Sequence, residues 1–236
     1  MILPAAGLGT RMGRAAPEKD GTSRKQFMLL DGSPILLHTI RKFVSSDWVS
    51  EIVVALRGED IGWVTELLKE ENFPKPVRLV EGGDSRQQSV QNALTTLSTD
   101  TELVAVHDAV RPFIEHDVLA KVFEEAAATG AAIVGIVPVD TVKQVHRNKV
   151  RATIPRERLI LTQTPQVFAY DLLRKAFDKA REDGFTGTDE SSLVERLEQV
   201  EVSVVAGSDR NIKITKPSDM DLARHYLVEE KVGQVS

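Results

Sequence analysis

A chain of 236 residues is long enough to bury one sizeable core, and nothing in its composition calls for a second. A formal net charge of −5 disfavours a general nucleic-acid or anionic-membrane surface, so any anion site has to be a local gathering of Arg and Lys. The absence of cysteine excludes disulfides, thiolate nucleophiles and Cys-based metal sites, and no apolar run reaches the roughly 18 residues of a membrane span.

The chain opens on Met1-Ile2-Leu3, a short strand that Pro4 closes, without the charged and apolar pattern of a secretory leader. A cytoplasmic protein is expected, with no nucleic-acid or membrane partner. Next comes Pro4-Ala5-Ala6-Gly7-Leu8-Gly9-Thr10-Arg11-Met12-Gly13, followed by Lys25-Gln26. Gly7 and Gly9 let backbone N–H groups approach an anion, and Arg11 and Lys25 supply charge, so the run reads as a triphosphate cradle. A dinucleotide fingerprint competes for the same residues, with Asp31 in place of the ribose-binding acid. Against it, Met12 stands where the third glycine belongs, and Pro17 and Gly21 interrupt the crossover helix. A glycine-rich loop without a ligand is the third reading.

Amphipathic stretches and β-branched runs then alternate. Helices are predicted over Pro34 to Val44, Glu59 to Asn72, Ser85 to Leu97, Glu115 to Thr129, Tyr170 to Asp183 and Ser218 to Glu230. Strands are predicted over Glu51 to Leu56, Val77 to Val80, Glu102 to His107, Ala131 to Val137 and Val200 to Ala206. Alternation of this kind means a largely parallel α/β sheet, with ligands beyond the carboxyl ends of its strands. Gly7, the segment Glu81 to Arg86 and the segment His107 to Pro112 all fall at such ends. Ser218 is expected to cap the last helix, with Asp219 and Asp221 complementing its dipole.

Between Pro138 and Phe168 the rhythm breaks. Val145, Val150 and Ile154 alternate amid Lys143, Arg147, Lys149 and Arg151, which predicts a protruding hairpin arm over about 138–163. A hairpin without a core of its own needs cover from a second copy, so a homodimer is expected. The rest, residues 1–236 as a whole, reads as one domain.

No Ser-His-Asp order, metal-ligating cluster or carboxylate pair is evident, and His38, His107, His116, His146 and His225 are widely dispersed. The remaining chemistry is a set of cations, Arg11, Lys25, Arg156 and Lys213, with the hydroxyls of Thr141, Thr164 and Thr188, suited to binding and reacting phosphates.

Those residues carry a resemblance. Pro4-Ala5-Ala6-Gly7 to Gly13, Lys25-Gln26, Gly82-Gly83-Asp84, His107-Asp108-Ala109 with Arg111-Pro112, Asp140-Thr141, Thr164-Pro165-Gln166, Thr188-Asp189-Glu190 and Asn211-Ile212-Lys213 follow in the order of the methylerythritol-phosphate cytidylyltransferases, over nearly the whole chain. The resemblance implies a Rossmann-like nucleotidyltransferase fold with a swapped dimerisation arm. It also implies that CTP and 2-C-methyl-D-erythritol 4-phosphate are joined with release of pyrophosphate, with Mg2+ carried mainly on the CTP phosphates. By the same resemblance, Arg11 and Lys25 stabilise the transition state, and Arg156 and Lys213 orient the attacking phosphate. Ala5, Ala6, Gly7, Gly83, Asp84, Ser89 and Ala109 line the cytidine pocket, with Pro4, Gly9 and Arg111 also binding substrate. Asp108, Thr141, Thr164 and Thr188 bind the polyol phosphate, and Thr141 and Arg156 come from the neighbouring subunit.

The ribitol-phosphate cytidylyltransferases share several of these segments and stand as the alternative. A non-catalytic nucleotide-binding module is the remoter one. The chain departs from the family's pattern at Arg24, where a proline is usual, and over Ala15 to Ser23, which is long and partly acidic. Gln26-Phe27 and the segment Leu29 to Pro34 fix the register, assigning the catalytic role to Lys25 rather than Arg24, Lys19 or Arg14, and a mobile lid is predicted over Ala15 to Arg24.

Overall fold

Apolar residues that alternate along short strands leave each strand with two faces to bury, and the intervening helices supply the cover. A computed structural model describes residues 1–7 and 24–233. In chain order the elements are β1 (Ile2–Pro4), β2 (Leu29–Leu30), β3 (Ser33–Pro34), α1 (Ile35–Val44), β4 (Ile52–Leu56), α2 (Gly58–Lys69), β5 (Val77–Glu81), α3 (Arg86–Leu94) and β6 (Leu103–Val106). There follow α4 (His116–Thr129), β7 (Ala131–Ile136), β8 (Val142–His146), β9 (Lys149–Ile154), β10 (Leu161–Ala169), α5 (Tyr170–Glu182), α6 (Glu190–Glu195), β11 (Ser203–Ala206) and α7 (Pro217–Gly233).

The main sheet has seven strands in the order β11-β7-β10-β6-β1-β4-β5. It is parallel except at β10, which runs antiparallel to both β6 and β7. Every residue of β4 is buried, as a strand covered on both sides requires. Leu3, Ile52, Val54 and Leu56 pack on one face with Leu36, Ile40 and Phe43 of α1 and Val122 and Phe123 of α4. Ile2, Val53 and Ala55 face the other way, onto Val90 of α3, Leu173 and Phe177 of α5 and Val194 of α6. The α4 to β7 turn needs a left-handed residue, and Gly130 supplies it at φ 88°.

The predicted helices and parallel strands are present, several trimmed by one to three residues at their ends. Three differences bear on the site. First, Leu161 to Ala169 is a strand of the main sheet, so the arm ends before Leu161 and not at 163. Its pattern was masked by Gln163-Thr164-Pro165-Gln166, where the pairing with β7 slips between Thr162 and Gln166. Second, α6 is an unpredicted helix, capped by Asp189, whose Oδ1 accepts from the Ser192 N–H at 3.1 Å. Third, Ser218 does not cap α7. The Asp219 carboxylate reaches back instead, accepting from the Thr215 and Lys216 N–H groups at 2.8 and 3.0 Å.

The hairpin β8–β9 forms as expected and, among the described residues, pairs only with itself. Its two-residue turn places Arg147 and Asn148 at φ 48° and 59°, the doubly positive arrangement that matches strand twist. Val139, Val145 and Val150 are 77%, 56% and 63% exposed. Among the described residues no helix is long and apolar enough to cross a membrane.

Candidate active site

A cleft of about 410 Å³ opens at the carboxyl ends of β1, β4, β5 and β6, where an open parallel sheet offers its loop termini. One wall is Pro4, Ala5, Ala6 and Gly7, the exit of β1. Lys25 and Gln26 face it from the short helical turn at Lys25–Phe27. The position of Lys25 follows from its neighbours. Gln26 is buried and its Nε2 donates to the carbonyls of Ala5 and Gly7 at 2.7 and 3.2 Å. Phe27 is buried edge-on against Trp63, ring centroids 4.9 Å apart. Arg24 turns the other way and forms ion pairs with Glu59 and Asp60 in the first turn of α2. Of the two adjacent cations, Lys25 therefore lines the cleft and Arg24 is committed to scaffold.

At the opposite end the turn Gly82 to Ser85 carries the chain from β5 into α3. Ser85 caps α3 by accepting from the Gln88 N–H at 3.0 Å. Ser89 donates to the Ser85 carbonyl at 2.8 Å and accepts from the Gly83 N–H at 3.1 Å, so this predicted binding residue fixes the turn that lines the cleft beside it. Gly82 has no room for a side chain: a Cβ there would stand 2.7 Å from Ala6 Cβ and 2.9 Å from Ser89 Oγ.

The cleft ends at Asp108 and Ala109, beyond β6, where a second cleft of about 260 Å³ begins. Arg111, Thr164 and Thr188 line this second space, and Asp108, Lys213 and Arg86 belong to the walls of both. Lys213 is brought there by the loop after β11. Asn211 is fully buried and donates to Gln163 Oε1 at 3.1 Å and to the Thr164 carbonyl at 2.9 Å, while the Ile214 N–H donates to the Val110 carbonyl at 3.0 Å. The Lys213 ammonium lies 2.9 Å from Asp108 Oδ2. Arg111 Nε is 3.1 Å from the same oxygen, and Arg86 Nε is 3.5 Å from Oδ1. Burial pushes the Asp108 carboxyl upward, but Lys213, Arg86 and Arg111 together outweigh it and hold the group ionised well below the usual carboxylate range.

Beneath Asp108 the buried His107 has a fixed tautomer. Its Nε2 faces the Arg111 carbonyl at 2.9 Å and must donate, so Nδ1 accepts from the Thr164 hydroxyl at 3.2 Å. Thr164 Oγ1 in turn accepts from the Asp108 N–H at 3.0 Å. This predicted substrate-binding hydroxyl thus also holds the peptide that carries Asp108. Burial lowers the His107 pKa to about 4, against the opposing pull of the Arg111 carbonyl and the Asp108 charge. The unfolded chain binds this proton from about pH 6.5 and the folded one only near 4, so stability is complete above 6.5 and falls as pH drops through that window. The expected loss is about 3 kcal/mol. Urea titrations of the wild type and His107→Gln at pH 7, 5.5 and 4.5 measure it; the variant, less stable at pH 7, is expected to show a flatter profile.

Arg11 and Gly9 lie outside the described residues, as does the predicted lid except for Arg24. Arg156 and Thr141 lie in the arm and line neither cleft of their own chain; Arg156 Nη1 donates to the Val139 carbonyl. The other predicted site residues come together on the two clefts. The sequence reading missed Arg57, which lines the first cleft from the end of β4, and Arg86 with its partner Glu190. The last two stood inside motifs already singled out, and an arginine one position past a helix cap at a strand's carboxyl end was the available signal. Among the described residues no three His, Asp or Glu side chains gather into a metal-ligating set.

Comparison with known proteins points one way. The family profile described as "IspD: 2-C-methyl-D-erythritol 4-phosphate cytidylyltransferase" matches residues 1–229. The 2-C-methyl-D-erythritol 4-phosphate cytidylyltransferase of Solibacter usitatus is 66% identical over 98% of this chain and 96% of its own. That of Acidobacterium capsulatum is 52% identical over 96% of each. The crystal structure of the 4-diphosphocytidyl-2C-methyl-D-erythritol synthase from Anaerococcus prevotii superposes with a TM-score of 0.82 at 29% identity, covering 96% of both chains.

Proposed function

The chain belongs to the 2-C-methyl-D-erythritol 4-phosphate cytidylyltransferase family, and from that premise we propose that its two joined clefts hold the nucleotide and the acceptor of one transfer reaction. It is a nucleotidyltransferase of isoprenoid synthesis that moves CMP from CTP to 2-C-methyl-D-erythritol 4-phosphate and releases pyrophosphate. The observation that carries the assignment of the clefts is their shared boundary: Lys213, Asp108 and Arg86 line both, so reacting groups placed in the two spaces meet at a cluster of cations.

The 410 Å³ cleft takes CTP. Its base lies against the Gly82 to Ser85 turn, Ser89 of α3 and the backbone of Ala5, Ala6 and Ala109, where close walls disfavour a purine. Its phosphates lie toward Gly7 and Lys25. The second cleft takes the acceptor, with Thr164, Thr188, Asp108 and Arg111 on the polyol and Lys213 on its phosphate. A phosphate monoester has a second pKa of about 6 and is largely dianionic at neutral pH, so the nucleophile needs no general base. An acceptor phosphate oxygen attacks the α-phosphorus, forming the new P–O–P link. The bond from the α-phosphorus to the bridging oxygen breaks, and its electron pair departs on pyrophosphate. Charge builds on the α-phosphate oxygens and the leaving group, where Lys25 and Lys213 stand preplaced. Asp108 already has three cationic partners, and Mg2+ would be carried mainly on the CTP phosphates, where it would offset part of their charge.

The exposed valines of the arm and the position of Arg156 and Thr141 outside their own clefts support a homodimer in which each arm completes the partner's acceptor site. Pyrophosphate release measured with each of the four ribonucleoside triphosphates, against methylerythritol phosphate and ribitol 5-phosphate, with and without Mg2+, tests the reading. Turnover is expected only with CTP, methylerythritol phosphate and Mg2+ together. Preference for ribitol 5-phosphate or for a purine nucleotide overturns it.

A further inference from the structure

Lys213 has two claims on its ammonium. It is paired with Asp108 at 2.9 Å, yet it lines the cleft where a dianionic phosphate has to sit. If it turns to that phosphate, it leaves behind a carboxylate whose side chain is only 8% exposed, and a buried charge stripped of compensation is costly. Two guanidiniums remain. Arg111 shares Asp108 Oδ2 and is tied by Nη1 to the Asn211 carbonyl at 2.7 Å, on the Lys213 side. Arg86 takes the other oxygen, Oδ1, from the first turn of α3.

Arg86 is held from behind. Its Nη1 donates to Glu190 Oε1 at 2.6 Å, and Glu190, on the first turn of α6, is fully buried, with Oε2 lacking a hydrogen-bond partner among the described residues. Burial drives the Glu190 pKa upward, and the Arg86 guanidinium beside it opposes the rise. Arg86 therefore bridges two buried carboxylates, one belonging to the substrate-facing cluster and one purely internal.

We propose that Arg86 is a positioning residue for the transfer reaction: clamped by Glu190, it keeps Asp108 compensated and in place while Lys213 turns to the acceptor's phosphate. This rests on the reading of the second cleft as the acceptor site. Without Arg86, Lys213 stays committed to Asp108, and the acceptor meets a weaker cation.

The test is steady-state kinetics of Arg86→Gln, Arg86→Lys and Glu190→Gln, with Arg86→Gln repeated in an Asp108→Asn background. Arg86→Gln is expected to lower kcat/KM for methylerythritol phosphate on the order of tenfold or more, with KM for CTP changing far less. Glu190→Gln shifts the same constant in the same direction, and Arg86→Lys recovers part of the loss. With Asp108→Asn there is no carboxylate charge to compensate, so adding Arg86→Gln is expected to cost little further. An equal loss in both backgrounds means that Arg86 acts on substrate directly, and this overturns the inference, as does an unchanged acceptor constant. If Arg86→Gln does not fold, judged by circular dichroism and thermal unfolding, Glu190→Gln and Arg86→Lys decide. A wild type that turns over CTP and methylerythritol phosphate while these variants behave otherwise refutes the inference alone; a wild type inactive on that pair refutes the functional reading.

Discussion

Lys213→Met is expected to lower kcat by roughly 100- to 1,000-fold, the scale of removing one preplaced group from a charge-developing transition state, with little change in fold. The chemistry puts the burden on this cation because the acceptor phosphate is already an adequate nucleophile, and the barrier lies in bringing two anions together and absorbing the charge that grows between them. The fold tolerates the change because Asp108 keeps Arg111 at 3.1 Å and Arg86 at 3.5 Å, and because Asn211 and the Ile214 N–H, not Lys213, anchor the loop. Stopped-flow or coupled pyrophosphate assays, paired with thermal unfolding, separate the two effects. A variant that unfolds in parallel with its loss of activity, or one that retains near-normal turnover, contradicts the assignment.

The second large effect separates neighbouring cations. Lys25→Ala is expected to reduce kcat about 100-fold or more, whereas Arg24→Ala reduces it less than about tenfold and acts mainly on stability. Arg24 is spent on Glu59 and Asp60 at the start of α2, where carboxylates are also favoured by the helix dipole, while Gln26 and Phe27 turn Lys25 into the cleft. Side by side, the two substitutions read the register of this segment directly. The reverse order of effects, with collapse in Arg24→Ala and near-normal turnover in Lys25→Ala, shows the segment to be displaced by one residue.

The parallel sheet and its helices were legible because burial on both faces imposes unbroken β-branched runs such as Ile52 to Leu56, and single-sided burial imposes the helical spacing of Tyr170 to Glu182. The antiparallel strand β10 was hidden because its core positions include Gln163, Thr164 and Gln166, polar residues that are buried only because Asn211, the Asp108 N–H and Asp189 satisfy them. Those partners lie 23 to 56 residues away in the chain, beyond any local pattern. The cap of α7 differs because the helix starts at Pro217, which puts Ser218 inside the first turn, and Asp219 reaches back to the Thr215 and Lys216 N–H groups. At the site, Lys213 was found through its motif, and its geometry rests on Asn211 two residues earlier. Arg86 and Glu190 were passed over because neither has the character of a catalytic residue alone. Their significance is a contact between α3 and α6, across 104 positions of sequence.

On the proposed reading the cations of one active site are drawn from two copies of the chain, and subunit mixing tests this most directly. Lys213→Met and Arg156→Ala, each nearly inactive as a pure homodimer, are unfolded together and refolded in equal amounts. If each arm serves the partner's cleft, half of the mixed population is heterodimeric and each heterodimer holds one site with both cations intact, so activity is expected to return to about a quarter of wild type. A mixture no more active than the sum of its parents shows that Arg156 and Lys213 do not meet across the subunit boundary.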